Sequence, residues 1–553
     1  MKKHLIIFLS LIFSGYAAVA QNFSGVVSQI NTELKTVENG KSKIAQSISE
    51  VQPGVIKISI TTTLIKDGKT NSDFFELNMA DIDINTISVF TDKDVIMVRF
   101  SAAKNQKLIN KKTDANKSSF DQEIKIFAKD IDNGRNLVQL FKSLMPLSNE
   151  IIDKRLSLKT YDEHLNWLEK NVSDVNSNQI QRSQKIKSNS KYPGKLDFSI
   201  DEIVNQKTSS DLYSFNLANI NPNSIFSEIK NDVIVVNIET SRKLKFIKTF
   251  SSNVQKDYVS NFSIFCENVE KSRDLQKVLK GIIALSENKI KNSIPKISSV
   301  KEGLALINAN IKNINSNMVV YDQSFSENCI SKFTSKAATP TKIVEDLFEF
   351  NFKDLGKNLV EFSTKGKNVI VKVKTSAGND YIKHSVDSQT KNYTDAFELQ
   401  FAEIEDGLIA QELFHKIIEL CQNNENKWSG TKNDWLQQLK GFIKKVEVNK
   451  IATEQILDSK DGIIQFKTTE INEKSSKSKL YEFNLKDINP LTITFKTSGT
   501  NVVVVVNTNF MEKIIKYYED GAIKNYQNTF NIAASNIEES RSIAELIKKI
   551  TAK

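Results

Sequence analysis

Histidine and cysteine, the side chains that most often act as bases, nucleophiles and transition-metal ligands, are scarce in this chain: four His and three Cys in 553 residues. His164, His384 and His415 stand apart, in no HExxH or His-x-His spacing that would aim two imidazoles at one zinc ion. No G-x-S-x-G elbow, phosphate-binding glycine loop or G-x-G-x-x-G turn is present. Carboxylate pairs such as Asp201/Glu202 and Glu538/Glu539 are what a chain with 26% charged residues produces by density alone. Two distant carboxylates could still make a glycosidase, but nothing singles out a pair, and no catalytic residue, cofactor or metal is expected.

Cys329 and Cys421 lie near the two ends of one stretch of the chain. In an oxidising compartment they could be bonded, because the terminal elements of a domain often pack together; two buried thiols are the alternative. Cys266 ends the apolar run Phe262-Ser-Ile-Phe265 and reads as a small buried hydrophobe. Arg182, Lys185, Lys187, Lys191 and Lys195 form a run with no acid between them. Lys185, Lys187 and Lys191 are candidates for an anionic lipid headgroup, an envelope polymer or an acidic protein. A solvated loop is the simpler reading, because the run occurs only once.

The elements that would position such residues repeat. Phe75-Glu-Leu-Asn78, Tyr213-Ser-Phe-Asn216, Phe348-Glu-Phe-Asn351 and Tyr481-Glu-Phe-Asn484 recur at intervals of 138, 135 and 133 residues. Each alternates apolar and polar side chains, the period of a half-buried strand, and leads through Asp81, Asn219, Asp354 or Asp487 into turn-forming residues. Asn78, Asn216, Asn351 and Asn484 then lie on the polar face. They could meet a ligand in every repeat, or bond neighbouring backbone, which is the commoner use of Asn. Apolar strands follow (Val95–Val98, Val233–Val236, Val369–Val371, Val502–Val506), and helical patterns open and close each unit. Arg135, Arg273 and Arg541 recur in three closing helices, with Leu408 in the third unit. Because Leu replaces it there, the Arg is expected to pack its stem along apolar surface.

Before the repeats, residues 1–20 carry Lys2 and Lys3, the apolar run Leu5–Phe13 and Ala17-Ala18-Val19-Ala20, the pattern of a secretory signal peptide. Export to the periplasm or beyond is therefore expected, which makes a nucleic-acid partner improbable. Removing Lys2 and Lys3 lowers the net charge from +10 to +8, too evenly spread to name a partner. Repeat units are expected at 21–150, 151–289, 290–426 and 427–553, each a helix, five to seven strands and a helix, standing as separate domains on a semi-rigid string. No later stretch is long and apolar enough to span a membrane.

The order of features resembles a pleckstrin-homology-like domain. The resemblance lies in the strand Tyr481–Leu485 with Asp487 beyond it, the strand Val502–Val506, the strand Phe530-Asn-Ile532 and the closing helix Ile537–Ile550. It covers about three-quarters of each unit; the opening helix departs from it. It implies an α+β class: four tandem antiparallel β-barrel or curved-sheet domains, each capped by its closing helix. It also implies binding of lipid headgroups, peptides or proteins without catalysis. The expected function is a non-catalytic exported binding or scaffold protein whose partner is a protein, an anionic lipid or an envelope polymer. The alternatives are a periplasmic hydrolase of cell-wall or carbohydrate substrate, or a binder of anionic lipid or polymer.

Overall fold

The computed structural model describes residues 22–114, 117–177, 180–230, 233–316, 318–422, 428–460 and 462–552. The expected signal peptide and the proposed boundary at 426/427 lie outside them. Among the described residues eight helices mark the four repeats: α1 (Phe23–Glu33), α2 (Ile131–Arg155), α3 (Tyr161–Asn171), α4 (Val269–Ser293), α5 (Val300–Asn310), α6 (Ile404–Gln422), α7 (Lys432–Phe442) and α8 (Ile537–Thr551). Odd-numbered helices open a repeat and even-numbered ones close it. Their starts are written in the sequence: Asn22, Asp130, Ser299 and Asn536 each accept a hydrogen bond from a backbone N–H of the first turn. Thr160/Glu163 and Thr431/Asp434 form complete capping boxes on α3 and α7.

Between its helices each repeat holds nine antiparallel strands, more than the five to seven expected. They form a six-stranded sheet in the order 1-2-3-4-7-8 and a three-stranded sheet in the order 5-6-9. The barrel expectation is thereby corrected, because neither sheet closes on itself and the two stay separate. Beyond the connecting loops they are linked by isolated bridges, such as Ile82↔Ala102 and Ile488↔Thr508, and by a side chain. That side chain is a Gln in the second strand of every repeat. The Gln323 amide donates to the Gln400 carbonyl (2.9 Å) and accepts from the Gln400 N–H (2.9 Å), as a strand backbone would. It also donates to Ile311 O, just past the end of α5 (3.1 Å). Gln46, Gln184 and Gln455 make the same two-way bond to Phe127, Phe265 and Ala533. One buried amide thus satisfies both partners of the gap that closure would have filled.

The chain divides into two compact units, Met1–Lys291 and Asn292–Lys553, each holding two repeats. The first pair of repeats shares elements. The boundary expected at residue 150 falls inside α2, whose last turn with Ile152, and Leu156 just beyond it, belong to the core of the second repeat with Phe198, Phe215 and Ile282. Pro146 lies within this helix. The boundary expected at 289 likewise falls inside α4.

Candidate interaction site

The anchoring strands end on the recurring Asn itself, not three residues later as the pattern suggested. In every repeat its side-chain carbonyl accepts the N–H two residues on, at Ala80, Ala218, Lys353 and Lys486 (2.9–3.1 Å), and so starts a single 3-10 turn. Asn78, Asn216 and Asn351 are buried, contrary to the polar-face reading, where their amides also reach Glu270, Pro193 O and Glu538 on other elements; Asn484, with the same turn, is exposed.

That 3-10 turn carries the acid at which two repeats meet. In the first unit, Asp81 receives Arg273 from α4 of the next repeat, Nε to Oδ1 and Nη2 to Oδ2, both at 2.7 Å. Glu270, one helical turn before Arg273, completes the clasp from the other side at 2.5 and 2.7 Å. The Asp81 and Arg273 side chains are only 9% and 10% exposed. Burial pushes the Asp81 carboxyl above its ordinary value against the pull of Arg273. Burial acts to lower the Arg273 pKa, but the Asp81 and Glu270 charges overcome it and hold the guanidinium above its ordinary value.

The second unit repeats the arrangement. Arg541 Nη2 on α8 reaches both Asp354 oxygens at 2.5 and 2.6 Å, and Asn351 donates to Glu538 at 3.0 Å. Burial also raises the Asp354 carboxyl, with Arg541 opposing. Phe495 lies beneath, 5.2 Å from the guanidinium and 4.9 Å from the Tyr381 ring of the preceding repeat. The Tyr381 hydroxyl donates to Phe495 O (3.3 Å); in the first unit Gln106 donates to the matching carbonyl of Ser227 (2.9 Å). The stem-packing reading of Arg273 and Arg541 is thus corrected: their heads tie repeats together through buried bidentate or bridging ion pairs. The signal that could have found this lies at the spacing to the next repeat. Asp81 and Arg273 are 192 residues apart, and Asp354 and Arg541 are 187 apart. At the intermediate position Asn219 replaces Asp while Leu408 replaces Arg, so both members change together.

The six-stranded sheets present a second set of positions, and these vary. Opposite the first aromatic of each anchor stand Lys111 (facing Phe75), Thr249 (Tyr213), His384 (Phe348) and Tyr517 (Tyr481). His384 stacks on Phe348 with ring centres 4.5 Å apart and planes at 3°, and its Nε2 lies 2.7 Å from Asp346. A groove of about 420 Å³, lined by Tyr321, Asp346, Phe348, Lys372, His384 and Glu398 among others, opens there. The matching rung of the fourth repeat is Tyr481–Tyr517, with ring centres 5.2 Å apart.

The other candidates are dispersed. His164 is buried in α3 with Nδ1 2.8 Å from Thr160 O, and His415 lies on α6. Among the described residues no cluster of three or more His, Cys, Asp or Glu is placed to hold a metal, and no helix is long and apolar enough to cross a membrane. Cys329 and Cys421 are joined by a disulfide between α6 and the turn before the strand Ile330–Ala338, with Cα atoms 5.6 Å apart. Cys266 is buried, and burial pushes its thiol up to about 12. The basic run makes no single patch. Arg182 turns inward onto Glu202 (2.6 Å) and the Phe265 ring, and Lys195 is buried against Tyr192. Lys185 and Lys187 share the exposed face of their strand, while Lys191 sits in the following turn over Tyr192.

Comparison of the chain with family models, with curated proteins and with solved structures returns no match.

Proposed function

We propose that this protein is a non-catalytic, exported scaffold of the cell envelope. Its paired repeats hold several different binding faces at fixed spacing. The observation that carries this reading is the division of labour among repeated positions. The Asn and Gln that recur in all four repeats bond backbone within their own repeat, and the Asp–Arg pairs join neighbours. The cross-strand partner of the anchor aromatic instead changes from Lys111 to Thr249, His384 and Tyr517, half-buried in three repeats and buried at Thr249. A constant frame with a varied face suits binding to a composite partner, where weak contacts gain from effective concentration. The pleckstrin-homology-like order of strand, strand and capping helix points the same way, toward binding of protein, lipid headgroup or envelope polymer.

The test uses the mature chain as bait against solubilised envelope, compared with the Arg273→Leu and Arg541→Leu variants, which loosen the joints but leave the rungs intact. A partner held by several faces is retained strongly by the native chain and released faster by both variants. Retention that is indifferent to both joints refutes the multivalent scaffold. Cleavage of cell-wall or glycan substrate by the purified chain, lost on His384→Ala or Asp346→Asn, would establish the hydrolase instead; the 2.7 Å His384–Asp346 pair in its groove is where that chemistry would sit.

A further inference from the structure

The joint has two halves. The acceptor half is the Asn-capped 3-10 turn with its Asp; the donor half is the first turns of a closing helix, with an acid and an Arg three residues apart. The chain carries one more of each. The fourth repeat has Asn484, which is exposed, and Asp487, whose carboxylate has no ion-pair partner among the described residues. The first repeat has Asp132 and Arg135 on α2, 89% and 71% exposed, which pair with each other at 3.1 Å. In both joints the equivalent Arg is at most 17% exposed.

The surroundings of the free acceptor are apolar where its counterparts are not. After the turn comes Leu491, 90% exposed, at the position of Asn85 and Asn223 in the first two repeats. Beside it lies the turn Asn509–Met511, tied to the 3-10 turn by Asn509 Nδ2 donating to Lys486 O (2.9 Å). In every repeat this turn holds a non-glycine residue in the left-handed region, at φ of 53–58°: Lys104, Arg242, Ala377 and Phe510. Phe510 is 92% exposed and Met511 52%. In the third repeat, Tyr381, four residues after Ala377, meets the next repeat at Phe495. The matching position in the fourth repeat, Ile514, is 39% exposed. On the donor side Ile131 is 48% exposed, whereas its counterpart Ile537 is 6% exposed.

We propose that copies of this chain associate head to tail, the Asp487 face of the fourth repeat receiving the Arg135 face of α2 from a second copy, by the same clasp that joins Asp81 to Arg273 and Asp354 to Arg541. The two faces are different surfaces. The contact is therefore heterologous, and it builds open filaments or closed rings instead of a two-fold dimer. It goes beyond the scaffold reading and does not depend on what the grooves bind.

The experiment is sedimentation velocity and light scattering on the mature chain from Gln21, up to about 1 mM, the effective concentration a short tether supplies within one chain. The native protein grows in mass with concentration and shrinks again at high salt. Arg135→Asp and Asp487→Arg, both at surface positions, each abolish growth while keeping the native circular dichroism. Mixing the two variants restores it, because each mixed contact pairs one acid with one Arg. A native chain that stays monomeric throughout overturns the proposal. So does association unaffected by either reversal, or a mixture that stays monomeric. Phe510→Ser, which leaves the charges alone, weakens association at least tenfold, and an unchanged affinity would remove the apolar part of the face from the interface.

Discussion

Arg273→Leu is the sharpest perturbation of the frame, because the chain itself places Leu408 at the equivalent position. It leaves Asp81, 9% exposed, facing Glu270 with no counter-charge. Removing one partner of a buried pair costs roughly 3–5 kcal/mol, since the remaining charge keeps its desolvation penalty and loses its compensation. Asp81→Asn combined with Arg273→Leu reproduces the Asn219/Leu408 combination and removes both charges. It is expected to recover at least ~2 kcal/mol of the loss, because replacing both members of a buried pair is often close to neutral. The readout is hydrogen exchange of the full chain, followed in peptides from the Asp81 turn and the start of α4, with urea unfolding in parallel. A loss of 3–5 kcal/mol is between about two and four powers of ten in the local opening equilibrium. The deficit should also depend on pH. Burial already raises the Asp81 carboxyl, and without Arg273 nothing nearby opposes the rise. A carboxyl whose folded pKa stands above its unfolded value binds its proton more tightly when folded. Its effect on stability therefore worsens as pH rises from the ordinary 3.8 through the raised value, and eases as pH falls. The single variant should regain up to about 1.4 kcal/mol per pH unit on acidification within that window, and the double variant should not. A single variant that loses less than about 1 kcal/mol, or a double variant no better than the single, refutes the clasp as the element holding this joint.

Gln323→Leu should cost about 3 kcal/mol or more in unfolding of the second unit, because three buried backbone groups lose their partner at once; a cost below ~1 kcal/mol would make the amide incidental. Reducing Cys329–Cys421, or replacing both residues with Ser, frees a loop with a sequence separation of 92 and should cost up to about 4.6 kcal/mol on the chain-entropy relation, seen as a lower melting temperature under reductant. Cys266, with its thiol raised to about 12, should resist a thiol reagent at neutral pH until the protein is denatured, and a fast native reaction would contradict its burial. Hydrogen bonds from the backbone N–H of Lys159 and Thr160 hold the Glu163 carboxyl below its ordinary 4.5. The support it gives the start of α3 is therefore complete above that value and fades as pH falls through the lowered one; Glu163→Gln should flatten this pH dependence in exchange of the α3 amides.

The repeat itself, the α+β class and the two helices bounding each unit were legible because they rest on apolar periodicity, which burial enforces residue by residue. Phe75, Tyr213, Phe348 and Tyr481 announce their strands in this way. Gln46, Gln184, Gln323 and Gln455 recur at the same period but carry no apolar signal. Their role depends on a gap between two sheets that no local pattern describes, and the strand list alone fits a closed barrel equally well. Arg273 and Arg541 were misread for a related reason. Leu408 made the Arg look dispensable within its own helix, whereas its partner lies in the preceding repeat, where Asn219 has lost its charge as well. The division into pairs of repeats was hidden because α2 is long enough to serve two cores, with Leu144 packed in one and Ile152 in the next.

The joint chemistry also bears on how a chain of four similar repeats finds its own order. Neighbouring units with near-identical faces are prone to misassembly, because any acceptor could take any donor. A buried ion pair adds little net stability but makes a mismatched contact expensive, since a lone charge is then left without water or partner. Here the Asp of the first and third repeats demands an Arg, which the second and fourth supply. The uncharged Asn219 of the second repeat neither attracts Arg541 nor is matched by it, and Leu408 gives the third repeat no means of answering Asp81. The alternation of charged and uncharged acceptors and donors along the chain therefore acts as an address. If so, introducing Asn219→Asp with Leu408→Arg, which gives the second repeat a charged acceptor and the third a charged donor, should slow refolding and raise the yield of misassembled chains. Unchanged refolding kinetics in that double variant would reduce the pairs to simple clasps.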